Sequence, residues 1–419
     1  MAAKLANTAL VYMSANIANA AVPFVLLPIL TRVLTPEDYG VVAMYAVMLG
    51  IFGALTGLSV HGAIAVRYFQ LTESEMADFC TACVIIVGAS TLAVVALVAL
   101  AAPQLTGLTG LPMQWLVAGV LVSAAQILSQ IRLSLWQVRG QAMRFGAFQV
   151  GQTLSNALLS LFFVVGLGLS WDGRLGGQSL AVGAFGVAAL ILLYAAGFLV
   201  RPVALRRHVT DALRFGVPLV PHVLGGLMFV ALDRFIIAGQ LGLASAGIYM
   251  VAAQIGQVLG LLTDAFNKAY APWLMGQLSS PETVNRPRIV RGTYVYFVVV
   301  LVIALTMGAV APLIVSLMAG EAFQAASSVV VYVAVGYAFS GCYLMVTNYI
   351  FYESKTGFLA CITFGAGLVH APLTYVLVSQ NGIAGAGQAF AISQFLAFLA
   401  TWWLANRAHP MPWRKAVLA

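Results

Sequence analysis

Charged and amide side chains set inside long apolar runs are where this sequence could do chemistry. Four basic residues stand out by position. Arg32 closes the first apolar run and Arg67 the second; Arg234 lies in the seventh beside Asp233, and Lys268 lies in the eighth, four residues after Asp264. Ionisable groups at bilayer depth are costly, and they mark pathways, relays or counter-ions. The i, i+4 spacing puts Asp264 and Lys268 on one helix face as an ion pair. Asp233 and Arg234 allow two readings, a self-neutralising structural pair or groups that couple and bind. His222, Gly226 and Asp233 align on one face. His222, Asp233 and Asp264 are therefore the candidates for carrying an ion.

Neutral polar residues form stripes. At 100° per residue, Thr8, Tyr12, Asn16 and Asn19 fall within one arc of about 80°. Ser123, Gln126, Gln130, Ser134 and Gln137 do so in the fourth apolar run, and Gln149, Gln152, Asn156 and Ser160 in the fifth. In the eighth, Gln254 and Gln257 share a face with Asp264 and Lys268. One such group is helix–helix glue; several complete stripes predict a shared water-filled cavity. His61 lies off the arc of Thr56, Ser59 and Arg67 and reads as structural, while His370, on a face with Thr363 and Thr374, is open to either reading. Cys80-Thr-Ala-Cys83 begins an apolar helix and reads as two small buried residues rather than a redox or zinc pair. No metal-ligand cluster, Walker loop, nucleophile–base spacing or pair of acids on an outer loop is present, so neither an enzyme nor a metal or cofactor site is expected.

The elements that position these residues follow from composition. Of 419 residues, 62% are hydrophobic and 8% charged, and the mean hydropathy is +0.98. Soluble domains carry about 25% charged residues, so the chain belongs in a bilayer. Twelve segments approach the ~20 residues a span needs: roughly 8–30, 40–66, 79–102, 113–137, 146–168, 178–200, 213–238, 246–270, 292–315, 325–350, 358–378 and 384–405. Phe79 to Ile131 carries no charge and must be a hairpin of two spans, turned near Pro103 and Pro112. Lys4 and Ala18-Asn19-Ala20 imitate a cleaved signal, but Asn7, Ser14 and Asn16 interrupt its apolar region, and the run continues through Leu30.

The net charge of +8 does not point to nucleic acid, because the basic residues lie in short loops between apolar runs. With the N-terminus inside, 17 of the 20 Lys and Arg fall on the cytoplasmic side, leaving Arg32, Arg174 and Arg234 as the others. Both termini are then cytoplasmic. The most basic loop, 201–214, lies at the midpoint and divides the chain into 1–205, with spans 1–6, and 206–419, with spans 7–12. At an offset of 207, Leu34 meets Leu241, Gly40 meets Gly247 and Gly53 meets Gly260, and each half carries a GxxxG, Gly53/Gly57 and Gly256/Gly260. These matches predict a parallel internal repeat.

The stretch 24–40 joins the first two spans. Pro23 and Pro28 interrupt the first helix. Thr35-Pro36-Glu37-Asp38 then reads as a helix start, with Thr35 as N-cap and acids in the first turn. Pro28-Ile-Leu-Thr-Arg-Val-Leu-Thr-Pro-Glu-Asp-Tyr-Gly40 resembles the N-terminal signature of the polysaccharide-biosynthesis flippases, the Wzx-type O-antigen transporters of the multidrug/oligosaccharidyl-lipid/polysaccharide exporter superfamily. Val66-Arg67-Tyr68-Phe69, Phe215-Gly-Val-Pro-Leu-Val-Pro221, Leu232-Asp-Arg-Phe235 and Gly247-Ile-Tyr249 extend the likeness in family order.

The resemblance implies an all-α integral membrane protein, twelve helices in two six-helix lobes around a central cavity, working by alternating access. Spans 1, 2, 7 and 8 would line it. The implied substrate is an undecaprenyl-diphosphate-linked oligosaccharide, flipped from the cytoplasmic to the periplasmic leaflet of the bacterial inner membrane. Arg32, Arg67, Arg234 and Lys268 would hold the diphosphate, with Asn16, Asn19, Gln254 and Gln257 as further contacts. Membrane lipids and a polysaccharide polymerase are the implied neighbours. Two rivals stand beside this reading. A drug/cation antiporter of the same superfamily usually shows an acid in the first span, where Asn16 and Asn19 stand here. A multispan polymerase or glycosyltransferase would need a large charged outer loop.

Overall fold

The computed structural model describes residues 2–279, 285–353 and 356–413, with side chains at all of these except 2–11, 13, 222, 230, 356–358, 360 and 361. Every regular element among the described residues is helical. Among the described residues, twelve helical segments are long and apolar enough to cross a membrane. The protein is an all-α integral membrane protein.

The chain divides into two compact units, Met1–Ala231 and Leu232–Ala419. The first holds α1 (Ala2–Val33), α2 (Pro36–Gly57), α3 (Val60–Arg67), α4 (Glu73–Leu100), α5 (Ala102–Thr109), α6 (Met113–Val138), α7 (Ala142–Leu161), α8 (Trp171–Ala195), α9 (Leu205–Gly216) and the start of α10 (Val220–Leu241). The second holds the rest of α10, then α11 (Leu243–Leu278), α12 (Arg286–Ala309), α13 (Ala311–Met318), α14 (Ser327–Tyr352), α15 (Thr356–Asn381) and α16 (Ile383–Ala408). Within each unit the spans pair in the same order: second with fourth (α2 on α6, α11 on α14), fourth with sixth (α6 on α8, α14 on α16), and fifth with sixth (α7 on α8, α15 on α16). An internal repeat requires this recurrence.

Local sequence explains the helix starts. Thr35 caps α2 as expected: its Oγ1 accepts from Asp38 N at 3.1 Å, and Asp38 Oδ2 accepts from Thr35 N at 3.0 Å. This capping box satisfies two donors that a helix start would otherwise leave bare. Thr72 and Glu75 repeat the device at α4. The charge-free stretch 79–131 is indeed a hairpin, α4 and α6, with short α5 between them.

Three expectations are corrected. The second span does not run to residue 66: α2 ends at Gly57, and Leu58 and Ser59 adopt left-handed φ of 41° and 54° before α3 resumes. The reason lies in α9. Gly216 approaches Leu58 so closely that a Cβ there would sit 1.9 Å from the Leu58 carbonyl oxygen. The basic stretch 201–214 is mostly helix rather than loop, because His208, Ala212 and Gly216 recur at i, i+4 and i+8 and bury one face of α9, leaving Arg206, Arg207 and Arg214 exposed. The sixth span begins at Trp171, not near 178, and so takes Arg174 into its first turn.

Packing rather than water exclusion holds such helices together in lipid. Phe79, Cys80, Cys83, Ile131 and Leu193 fill the core of the first unit, and both thiols are free. In the second, Phe297, Tyr349, Phe398 and Trp413 build an aromatic core with Trp402, whose ring lies 5.2 Å from that of Trp413. Three GxxxG glycines mark close contacts: a Cβ would meet Ile127 at Gly57, Val333 at Gly256 and Tyr337 at Gly260.

Candidate functional site

In the first unit, the α7 stripe is answered by α1 and α8. Gln149 Nε2 donates to Asn16 Oδ1 at 3.4 Å, and Thr153 Oγ1 donates to Asn19 Oδ1. Further along, Arg174 Nη1 donates to Asn156 Oδ1 at 2.9 Å and to Ser160 Oγ at 2.8 Å. Tyr39 and Tyr45 of α2 lie within electrostatic reach of that guanidinium. Asn16 and Asn19 remain exposed beside the seam. Most of the α7 stripe is thus spent on its neighbours, and charge counting had set Arg174 aside as a loop residue.

The arginines at the ends of the first two spans differ in their engagement. Arg32 is exposed in the last turn of α1 and donates to the carbonyl of Pro28. Arg67, at the end of α3, donates from Nε and Nη2 to the two oxygens of Asp211 on α9, each at 2.7 Å, and from Nη1 to Gln70. This is the fork-to-fork geometry of a strong arginine–carboxylate pair. Two more arginines gather in this unit. Arg132, counted on the cytoplasmic side within the fourth span, is buried in α6 with its guanidinium 4.4 Å from the Trp136 ring. Arg139 pairs with Glu73 at 3.2 Å and lies over the Phe198 ring.

The second unit contains a buried polar hub. Asp233 is 2% exposed in α10. Tyr249 Oη of α11 donates to its Oδ2 at 2.6 Å, and Thr374 Oγ1 of α15 donates to its Oδ1 at 3.2 Å. His370 Nε2, one turn before Thr374, lies 2.9 Å from the same Oδ1, and His370 Nδ1 lies 3.1 Å from Ser393 Oγ of α16. Arg234 is not part of this set. Its Nε is buried with no hydrogen-bond partner among the described residues, although the side chain is within electrostatic reach of Asp233, Tyr249 and Tyr337. The carboxylate is thus hydrogen-bonded by the Tyr249 and Thr374 hydroxyls, and Arg234 stays within its electrostatic reach. Sequence spacing found Asp233 and noted the face of His370 and Thr374, but not that the two meet.

In α11, Lys268 Nζ lies 2.6 Å from Asp264 Oδ2, with side-chain exposures of 75% and 50%. The expected ion pair forms on the surface of the unit. Gln254 is half-buried and Gln257 exposed. The side chain of His222 lies outside the described residues. Among the described residues no group of three or more His, Cys, Asp or Glu could hold a metal ion.

The helix order and span count recur in solved membrane proteins, which share this fold. The chain superposes on the lipid II flippase MurJ in an inward closed conformation with a TM-score of 0.73 at 12% identity, covering 95% of this chain and 87% of that one. For an inward-facing multidrug resistance MATE transporter of the MOP superfamily the TM-score is 0.69 at 14% identity, covering 94% and 93%. The sequence narrows the class: residues 5–276 match the polysaccharide biosynthesis protein family, and the chain belongs to that family. An uncharacterized membrane protein of Haemophilus influenzae is 25% identical over 83% of both chains. The Lsg locus protein 1 of the same organism is 24% identical over 94% of this chain and 98% of its own length.

Proposed function

We propose that the protein flips an undecaprenyl-diphosphate-linked oligosaccharide from the cytoplasmic to the periplasmic leaflet of the bacterial inner membrane by alternating access, for O-antigen or another surface polysaccharide. Membership of the polysaccharide biosynthesis family and the flippase fold support the membrane flippase. The observation that carries the substrate class is Arg234 of α10, whose Nε is buried without a hydrogen-bond partner among the described residues while the Asp233 carboxylate accepts from Tyr249 and Thr374. A diphosphate oxygen would supply the acceptor that Nε lacks. Exposed Arg32 and Lys268, with Asn16, Asn19, Gln254 and Gln257, are the further contacts in this reading, and Arg67 joins once Asp211 releases it. Asp264 and His222 stay with Asp233 as candidates for coupling. Both termini face the cytoplasm on the positive-inside count.

The charge of the head group favours outward movement. A diphosphate carries about −2, and an inside-negative potential of ~100 mV contributes ~2.3 kcal/mol per charge. Flipping in proteoliposomes should therefore follow a potential set by valinomycin. The reading is tested by gene deletion. Loss of surface glycan, with lipid-linked units retained on the inner leaflet, is the expected result. Normal glycan with altered drug sensitivity would transfer the protein to the drug antiporters instead.

A further inference from the structure

Three buried donors gather at the end of α6 without an acceptor. Arg132 Nε, Trp136 Nε1 and Arg139 Nε have no hydrogen-bond partner among the described residues. Their spacing, i, i+4 and i+7, puts them on one helix face, within an arc of about 60° at 100° per residue. Arg132 is 5% exposed and Trp136 4%. The Arg132 guanidinium lies 4.4 Å from the Trp136 ring, and such stacking offsets part of its charge. It leaves both N–H groups unmet. Arginine and the indole of tryptophan are donors only, so nothing but an acceptor satisfies them.

The surrounding charges select the kind of acceptor. Arg132 is within electrostatic reach of Arg139 and of Arg144, which lies in the first turn of α7. Arg144 Nη1 donates to the neutral Gln141 at 3.3 Å, and Arg139 Nη2 pairs with Glu73 at 3.2 Å. Among the described residues, Glu73 is the carboxylate that pairs with this group of arginines. Three guanidinium charges therefore meet one carboxylate. Water would satisfy the N–H groups and leave the excess charge; an anion with several oxygens answers both.

Position along the spans narrows the anion to a phosphate. α6 ends at Val138, Arg139 follows it, and α7 begins at Ala142. The cluster thus lies where two spans reach the membrane–water boundary, on the side that the positive-inside count makes cytoplasmic. The Arg139 side chain is 26% exposed and Arg144 is exposed, which leaves the cluster open on one side. Lipid head groups occupy that boundary, and basic pockets between membrane helices bind acidic ones.

We infer that α6 and α7 hold a site for the phosphate of an anionic membrane lipid, bound by Arg132, Arg139 and Arg144 with Trp136 Nε1 as a further donor. When occupied, the site ties α6 to α7 and, through Glu73, to the start of α4. The bound lipid is a constituent of the membrane, so the site does not depend on what the protein transports.

The test uses the full chain, purified in detergent and stripped of lipid, with its melting temperature read at constant ionic strength. It is titrated separately with phosphatidylglycerol, with zwitterionic phosphatidylcholine and with inorganic phosphate. Phosphatidylglycerol should raise the melting temperature in a saturable way, and phosphatidylcholine should not. A rise with inorganic phosphate and none with phosphatidylglycerol would overturn the lipid and make a free phosphate the ligand. Arg132→Gln and Arg144→Gln should each weaken the apparent affinity for phosphatidylglycerol about tenfold or more. Arg206→Gln, on the exposed face of α9, should leave it unchanged. Arg144 is exposed, so its variant decides the matter even if Arg132→Gln does not fold. No rise with either ligand in the wild type, or a rise that the cluster variants keep in full, would overturn the site.

Discussion

Arg67 and Asp211 meet fork to fork, Nε and Nη2 each 2.7 Å from one carboxylate oxygen, and so tie the end of α3 to α9. The carboxylate occupies the face of the guanidinium that a diphosphate would use. On the proposed function, Asp211 would compete with substrate as well as act as a clip. The pair is about one-third exposed, so its worth to stability is small, under about 1 kcal/mol. Asp211→Asn should lower the melting temperature in detergent only slightly and raise the initial flipping rate at limiting substrate. Arg67→Ala should lower that rate. Equal losses in both variants would assign the pair to structure alone.

Asp233 should prove far more sensitive. It gathers Tyr249, Thr374 and His370 in a site closed to solvent. Removing the acceptor strands the Tyr249 and Thr374 hydroxyls and takes the carboxylate away from His370, and breaking a buried network of this kind costs ~3–5 kcal/mol. Asn retains one acceptor oxygen and should cost ~1–3 kcal/mol. Thermal unfolding in detergent should therefore rank wild type above Asp233→Asn, and Asp233→Asn above Asp233→Ala. An Asp233→Ala protein as stable as wild type would show that the hub contributes nothing to the fold.

The break between α2 and α3 stores strain. Ser59 has φ of 54° without a side-chain cap, a conformation costing an L-residue ~1–2 kcal/mol. Ser59→Gly should stabilise the protein by ~1 kcal/mol. Gly216→Ala should do the opposite by ~1–3 kcal/mol, because its Cβ has no room beside the Leu58 carbonyl. Both are read by the same melts. If Ser59→Gly melts lower than wild type, the break is not strained.

The fold was largely legible because bilayer physics simplifies the code. Apolar length gave twelve spans, and Thr35-Pro36-Glu37-Asp38 gave the start of α2 down to its capping box. The errors share a cause. The break at Leu58 and Ser59 is imposed by a glycine more than 150 residues away, and no local signal announces it. The expected spans leave Arg174 in a connection because arginine is taken to mark the end of a span; here it lies in α8, bonded to Asn156 and Ser160. The hub followed the same pattern. Helical spacing placed His370 and Thr374 on one face of α15, but only packing decides that Asp233 faces them.

Arg32 and Arg174 set the proposed substrate contact beside a structural one. Both lie apart from the basic loops, yet they are held differently. Arg32 is exposed in the last turn of α1 and donates to the Pro28 carbonyl, and truncating an exposed side chain should cost little stability, within about 0.5 kcal/mol. Arg174 bridges α8 to Asn156 and Ser160 of α7, and its loss should cost ~1–3 kcal/mol. A hydrogen bond to a charged group is worth ~1.5–3 kcal/mol, so an Arg32 that grips the diphosphate should lose roughly 10- to 100-fold in flipping rate as Arg32→Ala. Arg32→Lys, which keeps the charge without the fork, should fall between. Melting curves and flipping rates measured on the same preparations make the comparison. Arg32→Ala is expected to melt like wild type and flip slowly, whereas Arg174→Ala should melt early and recover its flipping rate on cooling. An Arg32→Ala protein that flips at the wild-type rate would remove Arg32 from the mechanism and leave Arg234 and Lys268 as the cations that receive the head group.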